Sequence, residues 1–143
     1  MKKKGFTLIE LLVVIAIIGL LSTLAVVALN SARQKARDAK RVADIKQVQT
    51  ALELYFNDNQ NYPGGSGNVG LTTLACLGTG GWGSAGCSGA YMGLVPTNPT
   101  PGGSTYVYNS DGSSGTYSIT FTLEGQTGGL SGTLHTASQN GIQ

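Results

Sequence analysis

Basic residues are missing from most of this 143-residue chain. Every lysine and arginine lies in the first 46 residues, and charged residues make up only 11% of the whole. The charged residues after Lys46 are all acidic: Glu53, Asp58, Asp111 and Glu124. Because nucleic-acid binding needs clustered basic side chains with exposed aromatic rings, we expect no nucleic-acid partner for the carboxy-terminal part.

Catalytic and metal-binding groups are also scarce. His135 is the sole histidine, and the only carboxylates in residues 64–143 are Asp111 and Glu124. Neither a nucleophile motif nor a pair of acids accompanies them. We therefore predict no enzymatic activity and no cofactor, and we expect His135 at the surface or at a strand end.

The chain contains instead one long apolar segment near its amino terminus. Residues 11–29 are apolar except at three positions, which are Gly19, Ser22 and Thr23. As a helix this segment spans about 28 Å, close to the roughly 30 Å hydrocarbon core of a bilayer. Glu10 stands just before it, where a carboxylate costs up to about 3 kcal/mol at bilayer mid-depth and less near the interface. A charge at this costly position indicates a function.

The residues around Glu10 resemble those of one family. The segment GFTLIELLVVIAIIG, residues 5–19, is similar to the prepilin cleavage and methylation segment of type IV pilins and type II secretion pseudopilins. The resemblance implies that a membrane peptidase cuts between Gly5 and Phe6 and methylates the new amino terminus at Phe6. It also implies that Glu10 pairs with the amino terminus of a neighbouring subunit during assembly.

The same resemblance implies partners and a location. The expected partners are copies of the chain in a helical filament, the prepilin peptidase, an inner-membrane assembly platform, and the membrane before assembly. The expected location is a single pass of the cytoplasmic membrane with the head outside, followed by an extracytoplasmic or cell-surface filament. Basic residues 33–41 favour the opposite orientation by the positive-inside rule, but we give the resemblance more weight.

Two alternatives explain the apolar segment without a filament. Val26, Val27 and Ala28 have the small-residue character of a conventional signal-peptidase site, which would release a soluble domain after Ala28. A plain membrane anchor carrying a binding or adhesion module is the other. Cleavage after Ala28 accounts neither for Glu10 nor for the helical pattern that continues past the site.

A second helical pattern follows the apolar segment directly. From Asn30 to Asn57 there is no glycine or proline, and apolar residues recur at steps of three or four: Ala32, Ala36, Ala39, Val42, Ile45, Val48, Leu52 and Tyr55. This pattern predicts an amphipathic helix. The opposite face offers two predicted ion pairs, Lys35 with Asp38 and Lys40 with Asp44.

The predicted helix ends in a run of turn-forming residues, 57–61, before Tyr62 and Pro63. This ending resembles the tyrosine-proline pair of major pseudopilins and related pilins. We expect Tyr55, Phe56 and Tyr62 to form an aromatic seam where the helix meets the head.

The remaining residues, 63–143, predict a small head rich in glycine, serine and threonine. Strict alternation of Tyr117, Ile119, Phe121 and Leu123 with polar residues predicts a strand with one buried face. Further strands are expected at 106–108 and 130–134, and a short helix or turn at 71–77. The fold class is α+β, a long amino-terminal helix, apolar in its first half and amphipathic in its second, packed on a small antiparallel sheet.

The chain has two cysteines, Cys76 and Cys87, on either side of a glycine-rich loop. Cysteines in an exported domain usually pair, and closing a loop of about twelve residues adds roughly 3 kcal/mol in the chain-entropy model. Two buried thiols are the alternative. A zinc site is not expected, because the spacing is wrong and no histidine accompanies them.

We therefore predict a structural subunit of a type IV pilus or type II secretion pseudopilus. Its expected parts are a leader (1–5), an apolar assembly helix (6–29), an amphipathic continuation (30–62) and the head (63–143). Some major pseudopilins bind calcium through head-loop carboxylates, but the head of this chain supplies only Asp111 and Glu124, so no metal is predicted.

Overall fold

A computed structural model describes residues 5–70, 74–113 and 115–143. Most of the predicted leader, residues 1–4, lies outside the described residues. The chain divides into two compact units, Met1–Gln34 and Lys35–Gln143. Helix α1 (Leu8–Asn59) contributes residues to both units, and seven strands follow it in the described part of the chain. The predicted α+β fold class is confirmed.

The first unit exposes its apolar side chains. Every described residue from Gly5 to Arg33 is exposed, and the large apolar side chains of this stretch are between 46% and 85% exposed. Leucine and alanine favour the helix here, but no tertiary contact inside the unit covers its surface. This segment therefore depends on its surroundings for cover.

Burial of α1 begins in the second unit, at Asp38. Four apolar positions of the predicted face are buried, as expected: Ile45, Val48, Leu52 and Tyr55. Three earlier positions of that face are exposed instead: Ala32, Ala36 and Ala39. The buried face of the helix therefore begins later than the spacing of apolar residues predicts, because small alanines fit an exposed helix surface as readily as a buried one.

The helix ends where the turn-forming run predicted. Gln60 follows the last helical residue with a φ of 59° and donates its N–H to the Phe56 carbonyl at 2.7 Å. A left-handed residue with such a bond is a common way to close a helix. Tyr62 then packs on Phe56, with ring centroids 4.8 Å apart, and on Tyr117, at 4.6 Å. Phe56 and Tyr62 thus contact each other as predicted, whereas Tyr55 packs edge-on against Tyr91, with ring centroids 5.7 Å apart.

Seven short strands make up the head. They are β1 (Gly65–Asn68), β2 (Cys76–Gly78), β3 (Gly81–Gly83), β4 (Val107–Ser110), β5 (Ser118–Thr122), β6 (Leu134–Ser138) and β7 (Gly141–Ile142). Five form an antiparallel sheet in the order β1-β4-β5-β6-β7, and β2 pairs with β3 as a separate hairpin.

The predicted secondary structure of the head needs three corrections. The third predicted strand begins at Leu134 rather than spanning residues 130–134. Residues 76–78 form a strand, so no helix occupies the described end of the 71–77 segment, and residues 71–73 lie outside the described residues. Strand β1 was not predicted, because its sequence GSGN lacks the alternation of apolar and polar residues that indicates a strand.

The core lies between one face of the sheet and α1. The alternating residues of the β5 region are buried as predicted, since Tyr117, Ile119, Phe121 and Leu123 are all at most 4% exposed. They pack with Tyr106 and Tyr108 against the buried face of the helix. The five strands of the sheet contain no lysine, arginine, aspartate or glutamate.

Candidate functional site

The amino end of α1 places Glu10 against Thr7. The Thr7 N–H and hydroxyl donate to Glu10 Oε2 at 2.9 and 2.7 Å, and the Glu10 N–H donates to Thr7 Oγ1 at 3.3 Å. This reciprocal pattern is a capping box, which satisfies helix-terminal N–H groups. Both bonds accepted by the carboxylate use Oε2, so within the described part of the chain Oε1 can accept a further donor.

The segment after Glu10 is suited to an apolar environment. The Ser22 hydroxyl donates to the Ile18 carbonyl at 2.7 Å, and the Thr23 hydroxyl donates to the Leu20 carbonyl at 2.8 Å. Their polarity is thus satisfied within the helix. By length and composition α1 can cross a membrane, with a mean hydropathy of 2.9 over its most apolar 18 residues.

A cluster of four charged side chains lies in the second unit. Arg37 makes two bonds to the Glu124 carboxylate, its Nε donating to Oε1 at 2.8 Å and its Nη2 to Oε2. Arg41 donates from one nitrogen to both Asp38 and Glu124, each at 2.6 Å. Hydrogen bonds from Arg37 and then Arg41 lower the pKa of Glu124 to about 2. The cluster joins the helix to the segment after β5.

Asp38 also holds the backbone of that segment. Its two carboxylate oxygens accept the N–H groups of Glu124 and Gly125, each at 2.9 Å. Carboxylates that accept backbone N–H groups form strong, charge-assisted bonds. The buried Asp38 thus fixes the chain direction just beyond the sheet.

The predicted ion pairs on this part of the helix are not the observed ones. Asp38 pairs with Arg41, not with Lys35, and it is 1% exposed rather than part of a solvated face. Asp44 is also buried and accepts the Tyr106 hydroxyl at 3.2 Å, and its burial raises the pKa of its carboxyl. Spacing along the helix allows Asp38 to pair with Lys35 or with Arg41, since each is three positions away. Asp38 also contacts Glu124, which lies 86 positions further along the chain, and no spacing rule predicts this contact.

Cys76 and Cys87 are joined by a disulfide with an S–S distance of 2.03 Å. The bridge ties β2 to the loop that follows the β2-β3 hairpin. Trp82, at the centre of β3, packs edge-on against Tyr108, with ring centroids 5.0 Å apart. The hairpin is therefore attached both covalently and by an aromatic contact.

His135 lies near a strand end, which is one of the two positions predicted for it. It is the second residue of β6, but it is only 7% exposed. Its Nε2 lies 2.7 Å from the Ser131 carbonyl oxygen and its Nδ1 lies 3.1 Å from that of Gln143. These contacts give it a structural role. Within the described ranges no group of three or more His, Cys, Asp or Glu side chains is placed to hold a metal.

Comparisons with known proteins give matches to both parts of the chain. Residues 1–26 match the family model for the prokaryotic N-terminal methylation motif, and residues 28–137 match the model for type II secretion system protein G. Similar proteins include type II secretion system core protein G of Vibrio cholerae, 37% identical over 90% of this chain and 86% of that protein. The protein of the same name from Pseudomonas aeruginosa is 33% identical over 90% of this chain and 89% of its own length. No solved structure gives a significant match.

Proposed function

Because this chain belongs to the family of type II secretion system protein G and is a pseudopilus subunit, we propose that its processed amino terminus and apolar helix direct its assembly. Membership of the family implies self-assembly into a filament and processing by a prepilin peptidase. The proposal assigns processing to the Gly5–Phe6 bond and assembly to Glu10. The choice that the sequence left open, pilus or pseudopilus, is decided by the family model that covers residues 28–137.

The observation that supports this proposal is the exposure of the apolar helix. Residues 8–29 carry 15 large apolar side chains that are each at least 46% exposed. Exposed apolar area costs roughly 25 cal/mol per Å² in water, so this surface must be covered. Before assembly lipid covers it. In the filament the equivalent helices of other copies take the place of lipid.

Processing creates the group that Glu10 needs as a partner. Hydrolysis of the Gly5–Phe6 peptide bond releases the leader as a carboxylic acid and leaves a free amine on Phe6. Methylation of that amine keeps it basic, so it carries a positive charge at neutral pH. A carboxylate and an ammonium are each costly alone in an apolar core and tolerable as a pair.

We place the pairing between neighbouring subunits. The capping box occupies Oε2 of Glu10, which leaves Oε1 for the methylated amine of a neighbour. Such a contact joins two different surfaces of the same protein, so it builds an open helical filament rather than a closed ring. It also sets the register between subunits.

The location follows from the same arrangement. The apolar helix holds the unassembled subunit in the cytoplasmic membrane, and the head with its disulfide lies on the outer side, where disulfides persist. An inner-membrane assembly platform that extracts the subunit is the remaining expected partner. The filament itself is extracytoplasmic.

A Glu10→Ala variant tests the proposal in the native cells. We expect pelletable filaments to be lost by at least tenfold, because the neighbour's ammonium then has no carboxylate. The measurements are sedimentation of sheared filaments, the membrane-bound fraction, and intact mass of the membrane-bound subunit. In the wild-type chain the mass should correspond to methylated Phe6 as first residue.

A Gln47→Ala variant, which changes an exposed uncharged residue of the helix, is the matched control and should assemble normally. Normal filaments from Glu10→Ala would contradict the assembly role. A wild-type chain that starts at Leu29 would contradict prepilin processing, since the apolar helix would have been discarded. If the chain were an anchored binding module that never polymerises, neither the wild-type protein nor the variants would form filaments.

A further inference from the structure

We propose that the head contains a cation site whose resident cation is the guanidinium of Arg41. The Arg41 side chain is completely buried, with 0% exposure. Arginine stays charged in proteins, and an isolated buried cation is very costly. The surrounding oxygen atoms must therefore compensate this charge. The inference does not depend on how the filament assembles.

Six oxygen atoms surround the guanidinium within hydrogen-bond distance. Two belong to carboxylates, one to a side-chain amide and three to backbone carbonyls: Asp38 Oδ1 (2.6 Å), Glu124 Oε1 (2.6 Å), Asn98 Oδ1 (2.7 Å), Gly102 O (2.7 Å), Pro99 O (2.8 Å) and Pro101 O (3.2 Å). Every nitrogen of the guanidinium donates to at least one of them. The site is complete in the folded chain.

The three carbonyls come from one loop, residues 98–103, and all three converge on Nη2 of Arg41. Carbonyl oxygens turned toward one point repel each other unless a positive charge lies between them. Two of these carbonyls belong to prolines, which cannot contribute N–H donors of their own. The cation thus holds the loop in shape.

A glycine lets the loop approach this closely. Gly103 has a φ of +70°, and a Cβ built there would lie 2.7 Å from Arg41 Nε. A larger residue would clash with the guanidinium and would also be strained at that φ. The loop backbone is therefore fitted directly to the side chain that fills the site.

The oxygen set also defines which other ligands the site can take. Carboxylate, amide and carbonyl oxygens are the donors that bind hard cations such as Ca²⁺, and they equally accept the forked N–H groups of a guanidinium. With Arg41 in place the site is full. With its side chain removed, the site should bind a free small cation, guanidinium in the first instance.

The experiment uses the full-length protein in detergent and measures its melting temperature. Arg41→Ala should melt at least several degrees below the wild-type protein. Millimolar guanidinium chloride should restore part of the loss in a saturable manner, whereas sodium chloride at the same ionic strength should not. Calcium chloride is a second probe of the emptied site.

Arg37→Ala is the matched control. Arg37 is 23% exposed and its guanidinium donates to the Glu124 carboxylate, so its removal leaves no enclosed oxygen site. This variant should lose stability but show no saturable rescue. The wild-type protein should respond to neither guanidinium nor calcium in the millimolar range, because its site is already occupied.

Each outcome decides the proposal. Rescue confined to Arg41→Ala supports it, and so does a variant that folds only when guanidinium or calcium is present. A variant that responds to neither cation, or that stays unfolded in both, contradicts it. A wild-type melting temperature that rises with calcium would also contradict it. Failure here leaves the assembly role of Glu10 untouched, because the readout is stability of the head.

Discussion

At the scale of single residues, Glu124 is the carboxylate of the head that two arginines of the helix bind. Its carboxylate accepts hydrogen bonds from Arg37 and Arg41, and its backbone N–H donates to Asp38. Its side chain is 18% exposed, so solvent screens these contacts only partly. The low pKa of about 2 for this carboxyl follows from those hydrogen bonds, and it makes the stability of the head depend on pH.

The sign of that dependence follows from the direction of the shift. A carboxyl whose pKa is lowered by folding stabilises the folded state above its unfolded pKa of about 4.3 and loses that contribution as pH falls further. For Glu124 the loss runs from about pH 4.3 down to its folded pKa of about 2. Acid therefore weakens this connection between helix and sheet.

A Glu124→Gln variant tests this. At neutral pH it should melt several degrees below the wild-type protein, because the charge of the pair with Arg37 and Arg41 is lost. The gap between the two melting temperatures should narrow as pH falls from 5 to 2, since the wild-type carboxylate is progressively neutralised. Melting curves across this range provide the measurement, and a gap that stays constant would contradict the assignment.

At the scale of elements, the β2-β3 hairpin depends on its covalent attachment. Each strand has three residues, and an isolated two-stranded hairpin is marginal in water. The disulfide joins β2 to a position 11 residues later. Close packing around it leaves no room at Gly83, where a Cβ would lie 2.8 Å from Cys87 Sγ.

The double variant Cys76→Ser, Cys87→Ser should therefore lose about 2–3 kcal/mol of stability, as expected for a loop of this length. Chemical denaturation of both proteins in oxidising and reducing buffer measures the loss. Reductant should destabilise the wild-type protein and leave the variant unchanged. Equal stability of the two proteins in oxidising buffer would show that the bridge contributes nothing.

The same scale shows what the sequence reveals and what it conceals. Periodicity predicted α1 and the buried face of β5, because burial repeats along those residues themselves. It missed β1, whose GSGN sequence is held by pairing with β4. It also misassigned the partner of Asp38, because Glu124 lies 86 positions away along the chain. The capping box of Thr7 and Glu10 has the usual spacing of three positions, so its residues could have been predicted from the sequence.

At the scale of the whole molecule, the buried core and the exposed apolar surface belong to different parts of the chain. Every buried side chain in the described ranges is at Asp38 or later, and the core cluster lies entirely in the second unit. The first unit contributes exposed apolar surface instead. The residues that form the core are therefore separate from those that expose apolar surface.

A fragment comprising residues 30–143 tests this separation. It should be a soluble monomer with a cooperative transition within a few degrees of that of the full-length protein in detergent, because it keeps the whole core. Size-exclusion chromatography and near-ultraviolet circular dichroism on heating are the measurements. A fragment without a cooperative transition would show that the apolar segment is needed for folding.

The position of the Arg41 cluster also has a mechanical consequence. Asp38 and Arg41 are the first buried side chains along α1 from its amino end. Tension drawn through the preceding helix thus reaches the head at ionic bonds, before it reaches apolar contacts such as those of Ile45. Two of those bonds run to Glu124 or its backbone, so the load passes to a residue two positions beyond β5, the central strand of the sheet. The first connection that bears such a load is therefore polar.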